Sequence, residues 1–372
     1  MAERQFQPSQ GRKGITRRQF LLAGSTTLGA AGCFGRLCKS GPGITAPVAG
    51  PSTEPPPLCQ LAFSVLNLDR TRGWYRDMLG WVPSGGTNDF GNPIGSWIQG
   101  LPDVDVVTKW MVDQQEFLQL EMFEFKSPVP KPRPRNWSPI DSGYTILGFH
   151  VANFDARLMS LRSAGVQPLT DPIGVPGTRR VCVKDPEGNI VELIEEDPRQ
   201  AGSKARPRPR PGVPVVARSI TVSVPDIARS RRFFVDTLRL EECTDFVLHR
   251  PEHEELWNLK GATAKTLLLW AGDILVELRQ YTNPVAKPWP KGYRISDQGM
   301  LNIAFGFRKR SDFDQTCDRM FASGYRSNSP PFHLFDWGVV YVNDDQCFSV
   351  ELLLVEPAAN RQMGFEPENE VS

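Results

Sequence analysis

Histidine is scarce in this chain of 372 residues, with four in all. His249 and His253 are four apart, but Pro251 stands between them and Glu252, Glu254 and Glu255 surround them, which reads as a solvated loop. His333 follows Pro330-Pro331-Phe332 in another loop, and His150 ends an apolar run and reads as core or cavity lining. No two histidines fall where a two-histidine, one-carboxylate iron centre would need them. No glycine-rich turn opens a helix, no phosphate-binding loop is present, and no serine sits in a GxSxG elbow; dinucleotide, nucleoside-triphosphate and serine-hydrolase chemistry are excluded on that ground. The seven cysteines contain no CxxC pair, and the widely spread Cys59, Cys182, Cys243, Cys317 and Cys347 read as small buried residues without a disulfide framework. Lys and Arg number 43 against 42 Asp and Glu, so the chain lacks the positive excess that nucleic acid would call for. It also lacks an apolar run approaching the ~20 residues that a membrane span requires.

The paired arginine near the start carries the first positive signal. Thr16-Arg17-Arg18-Gln19-Phe20-Leu21, followed by a short apolar stretch diluted by Gly24, Ser25 and Gly29, resembles a twin-arginine export signal. Ala30-Ala31-Gly32-Cys33 resembles a lipobox in which Cys33 takes the lipid, although Ala30 stands where leucine is usual; Gly29-Ala30-Ala31 offers ordinary cleavage instead. Residues 1–33 are accordingly the expected signal and 34–57, rich in Gly, Pro, Ser and Thr, a flexible spacer. This implies passage through the twin-arginine machinery in folded form. The expected location is the periplasm or cell envelope, with the membrane touched only through a lipid on Cys33.

The remaining ~300 residues are long enough for two domains, and they repeat. Leu68–Leu79 and Ile227–Leu238 share a plan at an offset of 227 − 68 = 159, which Tyr75/Phe234, Asp77/Asp236, Asp185/Asp344 and Glu192/Glu351 also keep. A Pro/Arg-rich stretch, 199–214, separates the copies; alternating proline at 205–214 denies both helix and ladder hydrogen bonds. The expected division is 58–198, 215–357 and a tail, 358–372. Each copy is double again. Leu61–Leu66 reads as a strand, 69–79 as an amphipathic helix stopped by Gly80, and further strands end at Phe117–Phe123. Then Thr145–Val151 reads as a strand, Ala156–Ala164 as a helix, and Arg179–Val183 and Ile190–Ile194 as strands joined by the Asp185-Pro-Glu-Gly-Asn189 turn.

Val65-Leu-Asn-Leu-Asp69 with Tyr75-Arg-Asp-Met-Leu-Gly80, and Lys184-Asp-Pro-Glu-Gly-Asn-Ile-Val-Glu-Leu193, resemble the vicinal oxygen chelate superfamily of glyoxalases, bleomycin-resistance proteins and extradiol dioxygenases. The resemblance covers about 58–197 and 215–356. It implies an α+β fold of four βαβββ modules paired into two glyoxalase-like curled-sheet domains. It also implies divalent-metal positions on the first and last strands of each module. Those positions hold Gln60, Glu121, Ile146 and Glu192 in the first copy and Ser219, Glu277, Asn302 and Glu351 in the second. Gln60, Glu121 and Glu192 are the implied ligand set, with Glu121 and Glu192 as ligand or general base. Ile146 cannot ligate and leaves a gap, and the second copy offers two good donors against three. The absence of a histidine pair disfavours extradiol ring cleavage. The implied function is a metal-assisted lyase or isomerase step on a small carbonyl-containing molecule. The alternatives are a metal-free binding protein of the bleomycin-resistance type, which needs no cofactor, and an envelope scaffold.

Overall fold

Strand β1, Leu58–Ser64, is buried along its whole length. It runs parallel to β4 (Gln119–Ser127) on one edge and antiparallel to β12 (Gly299–Phe307) on the other, so both its backbone edges are bonded. That environment suits the unbroken apolar run that makes the strand legible. The computed structural model describes residues 54–88, 91–113, 115–200 and 214–368. Arg17, Arg18, Cys33 and nearly all of the Pro/Arg-rich stretch lie outside the described residues. Among the described residues no helix is long and apolar enough to cross a membrane.

Asn67 caps helix α1, Leu68–Leu79, by accepting from the backbone N–H of Arg70, and Gly80 closes it at φ 74°. Asn153 caps α3 (Phe154–Ser163) in the same way, and Asp226 caps α4 (Ile227–Arg231), which continues as a π-helical turn over Arg232–Thr237. The short α2 (Ile94–Gln99) lies between the second and third strands of module one, and α5 is Arg310–Ala322. The Asp185 turn forms as read. Its carboxylate accepts from the backbone N–H groups of Glu187 and Asn189, and Gly188 takes φ 79°. At +159, Asp344 does the same for Gln346 and Phe348, but the left-handed position is filled by Cys347 at φ 70°.

The two curled sheets and their α+β modules are as expected; their composition is not. The larger sheet joins β1, β2 (Val82–Thr87), β3 (Asp105–Val112) and β4 to β12, β13 (Arg326–Ser327), β14 (Phe332–Leu334), β15 (Trp337–Asn343) and β16 (Ser349–Val355). It unites modules one and four. The seven-stranded sheet joins β5 (Gly143–Val151), β6 (Arg180–Lys184) and β7 (Ile190–Ile194) to β8 (Val215–Ser223), β9 (Glu241–Glu242), β10 (Thr263–Ala271) and β11 (Ile274–Asn283), uniting modules two and three. The seams are the antiparallel pairs β1/β12 and β5/β8. The contiguous division 58–198 and 215–357 is therefore corrected: each copy contributes one module to each sheet.

Two side-chain clasps lock the sheets together. Glu187, in the module-two turn, accepts from the Leu66 backbone N–H at 3.0 Å, the Thr71 hydroxyl at 2.9 Å and the Gln298 amide at 2.7 Å, gripping the start of α1. Its repeat equivalent Gln346 accepts from Asp226 N–H and donates to Ser230 Oγ, both at 2.8 Å, gripping α4. The main core lies between the outer faces of the sheets and their helices, with Phe63, Leu120, Met122, Phe149, Leu193, Val222, Leu278, Phe305 and Leu352 in one continuous cluster. Residues 358–368, the described part of the expected tail, pack against the larger sheet. Ala359, Met363 and Phe365 lie against Cys59, Phe117 and Trp337, on the inner side of the larger sheet.

Shared sheets predict how the halves come apart. With a specific protease site inserted after Arg206, cleavage should give two fragments that co-elute under native conditions and separate only in denaturant. Fragments that elute as independent folded species without denaturant would refute the β1/β12 and β5/β8 seams.

Candidate active site

Each module ends on a strand whose central glutamate sits between core residues: Leu120-Glu121-Met122, Val191-Glu192-Leu193, Val276-Glu277-Leu278 and Val350-Glu351-Leu352. The flanking residues all belong to the main core. Alternation along a strand therefore sends every one of these glutamates to the concave side of its sheet. The seams then decide which glutamates meet. Glu121 shares a sheet with Glu351, and Glu192 with Glu277. The expected set Gln60, Glu121 and Glu192 does not form, because Glu192 belongs to the other sheet. Gln60 and Glu121 are joined instead by Asn302 and Glu351.

In the larger sheet the register aligns Ala62 with both Glu121 and Asn302, and Ala304 with both Gln60 and Glu351. All four polar residues are buried, Glu121 least so at 7% exposure. Trp110 donates its indole N–H to Glu121 Oε1 at 2.9 Å, and the Asn302 amide reaches Glu351 Oε2 at 3.4 Å. The Tyr341 hydroxyl hydrogen-bonds Glu351 and Asn302. The amide oxygens Gln60 Oε1 and Asn302 Oδ1 are buried with no partner. Among the described residues no Arg, Lys or His pairs with either carboxylate. Burial pushes both carboxyls up, and for Glu121 the neighbouring Glu351 adds repulsion; Glu351 reaches about 7, with Tyr341 and Asn302 opposing the rise. Helix α2 and the C-terminal segment close this side of the sheet. Gln119 donates to the Met363 carbonyl at 2.8 Å, and Gly364 lies so near Trp110 that a Cβ would meet the indole at 2.6 Å.

The smaller sheet solves the same problem differently. Glu192 accepts from Arg180 at 2.9 Å on one oxygen and meets His249 Nε2 at 2.8 Å on the other. Glu277 Oε2 meets His249 Nδ1 at 2.6 Å and accepts from the Thr221 hydroxyl at 3.2 Å. Burial alone would raise both glutamates, but His249 with Arg180, and His249 with Arg279, hold them down at about 2. His249 is thus fully buried, not in a solvated loop, because the segment after β9 folds into the concave face. The gap at Ile146 is not an open coordination position either: Leu256 and Trp257 pack against Ile146 and fill it. Ser219 stands so close to β5 that a Cβ on Gly148 would lie 2.1 Å from its hydroxyl. His150 is half-buried at the end of β5, and His333 pairs with Asp314 at 3.2 Å.

Residues 58–193 match the family model described as the Glyoxalase/Bleomycin resistance protein/Dioxygenase superfamily. The superfamily match spans modules one and two, which here lie in different sheets. Glyoxalase I from Zea mays superposes with a TM-score of 0.54 at 14% identity, over 83% of this chain and 93% of that one. A candidate dioxygenase from Bacillus subtilis subsp. subtilis str. 168 superposes with 0.56 at 14% identity, over 82% and 87%. These likenesses are of fold. No curated protein matches the chain. Among the described residues no three His, Cys, Asp or Glu side chains form a group that could hold a metal. The site of the larger sheet pairs two carboxylates with two amides, and Asn302 and Glu351 are readable from the repeat once the module pairing is known.

The raised carboxyls give a signed pH dependence. Between 4.5 and about 7 the folded chain binds more protons at Glu351 than the unfolded chain does, so this pair destabilises the fold as pH rises through that interval. In metal-free buffer Glu121→Gln should melt above wild type at pH 8 by roughly 5 °C, taking about 2–4 °C per kcal/mol, and within about 1 °C of it at pH 5. Melting curves that stay parallel from pH 5 to 8 would show that the two carboxyls do not repel.

Proposed function

We propose that the chain is an exported glyoxalase-like protein that acts on a small carbonyl-containing molecule at the concave face of its larger sheet, with a divalent cation held by Gln60, Glu121, Asn302 and Glu351. The observation that carries the reading is the pair of buried amide oxygens, Gln60 Oε1 and Asn302 Oδ1, left without partners beside two carboxyls that no cation among the described residues offsets. Four oxygen donors of this kind suit a hard divalent ion. When bound, such an ion supplies Lewis-acid polarisation of a substrate oxygen.

The chain's own residues do the rest. Trp110 fixes one oxygen of Glu121, which orients its carboxyl toward the shared site. Tyr341 and Asn302 hold Glu351 and place a hydroxyl proton beside it. Without a cation, burial leaves the Glu351 carboxyl near neutrality; with a cation bound it would be ionised, and a carboxylate there would accept a proton from next to a substrate carbonyl, the step of a lyase or isomerase. The C-terminal segment around Met363–Phe365 covers the inner face of the larger sheet beside the site. Glu192, bound on both oxygens by the chain itself, takes no part.

Equilibrium dialysis against Mn²⁺, Mg²⁺, Ca²⁺ and Zn²⁺ tests the site. Wild type should bind one ion per chain, and Glu121→Gln with Glu351→Gln should weaken binding by more than about 100-fold, since even residues behind the ligands cost about 10–100-fold. Equal binding by wild type and the double variant refutes the metal site and leaves the metal-free binding protein as the reading.

Export is tested separately. Arg17→Lys with Arg18→Lys should trap the precursor in the cytoplasm, and lipid labelling should require Cys33. Label surviving Cys33→Ala refutes the lipobox, and an unlabelled exported protein points to cleavage after Ala31.

A further inference from the structure

The concave face of the smaller sheet presents two opposed glutamates, Glu192 on β7 and Glu277 on β11, with side chains essentially without exposure. A single imidazole stands between them. His249 Nε2 lies 2.8 Å from Glu192 Oε2, and Nδ1 lies 2.6 Å from Glu277 Oε2. An ionised carboxylate only accepts hydrogen bonds, so each ring nitrogen facing one must carry a proton. Arg180 from β6 takes the other oxygen of Glu192, and Arg279 from β11 takes the other oxygen of Glu277. Both guanidiniums favour the ionised carboxylates.

The surroundings fit a charged ring. Arg279 also pairs with Glu254, which accepts from Trp257 Nε1 at 3.0 Å and the Tyr281 hydroxyl at 3.2 Å. Three carboxylates, Glu192, Glu254 and Glu277, thus meet two guanidiniums, and a protonated His249 brings the count to three against three. Trp257 meets the imidazole nearly at right angles, with ring centroids 5.1 Å apart. His253, at 6.1 Å, is pushed down to about 4 by burial, with Arg180 and His249 adding to the fall; it stays neutral and does not compete.

We propose that His249 is the internal cation of the smaller sheet: as an imidazolium it bridges Glu192 and Glu277 at the place where the fold brings two inward glutamates together, so this half needs no added ion. The assignment is independent of the cation reading of the larger sheet. Burial opposes a charge on His249, and the two carboxylates facing its ring nitrogens at 2.6 Å and 2.8 Å favour it.

The full chain labelled with ¹⁵N-histidine reads the state directly, since only His150, His249, His253 and His333 contribute. At pH 6.5, where a free imidazole is about half protonated, one ring should show both nitrogens protonated with slowly exchanging protons, and that signal should vanish in His249→Ala. A His249 ring with one bare nitrogen at about pH 6.5 overturns the assignment. A second measurement uses His249→Ala in a Glu121→Gln, Glu351→Gln background, which removes the carboxylates of the larger sheet. Its melting temperature at pH 7 should fall by about 10 °C and recover at least half of that in 10 mM imidazole or 1 mM Mn²⁺, whereas the His249→Gln counterpart should not respond to either. No response of the alanine variant to either cation also overturns the assignment, and should that variant not fold, the nitrogen spectrum of wild type decides alone.

Discussion

The antiparallel pairing of first strands, β1 with β12 and β5 with β8, is the constraint on which the rest depends. A βαβββ module leaves the outer edge of its first strand with unpaired N–H and C=O groups, and a buried edge in that state is not tolerated. Four modules offer four such edges, and they close in pairs. Pairing one with four and two with three makes each sheet a product of both copies of the repeat. Neither copy then possesses a complete curled sheet, and the Glu187 and Gln346 clasps tie modules of the same copy across the two sheets. The same choice fixes which inward glutamates confront each other.

Much of this is legible in the sequence. The offset of 159 between the copies, the strand–helix–strand order and the Asp-Pro-Glu-Gly-Asn turn all rest on local chemistry: an Asx cap, a glycine at positive φ, an alternating strand. The apolar flanks of Glu121, Glu192, Glu277 and Glu351 announce an inward glutamate without any knowledge of the fold. Module pairing is not legible, because β1, β5, β8 and β12 present similarly apolar sequences and nearly equivalent edges, and contiguity favours the wrong partner. Contiguity therefore groups Glu192 with Gln60 and Glu121, when Asn302 and Glu351 belong there.

His249 escapes notice for another reason. A Pro251 beside three glutamates signals exposure on composition, but Glu254 is buried because Arg279 lies on the strand beneath it. Charge complementarity across 25 residues of sequence leaves no local periodicity to find. The packed C-terminal segment is similar. Nothing near Gly364 in the sequence reveals that it will rest on Trp110.

Two buried glutamates facing each other form one electrostatic problem, and the two sheets answer it in opposite directions. Glu192 and Glu277 are held near 2, whereas Glu351 at the matching place is raised to about 7. The backbone is the same, so the neighbours must account for the difference. In module three the stretch between the second and third strands ends in the turn Pro251–Trp257 and brings His249 with it. In module one the matching stretch forms α2 and delivers Ile98 to the inner cluster. An apolar residue fills space without offsetting charge, so the larger sheet retains two carboxyls and two amide oxygens whose demand for positive charge is not met among the described residues. That unmet demand is what separates a site able to take up a ligand from one that the chain has already filled.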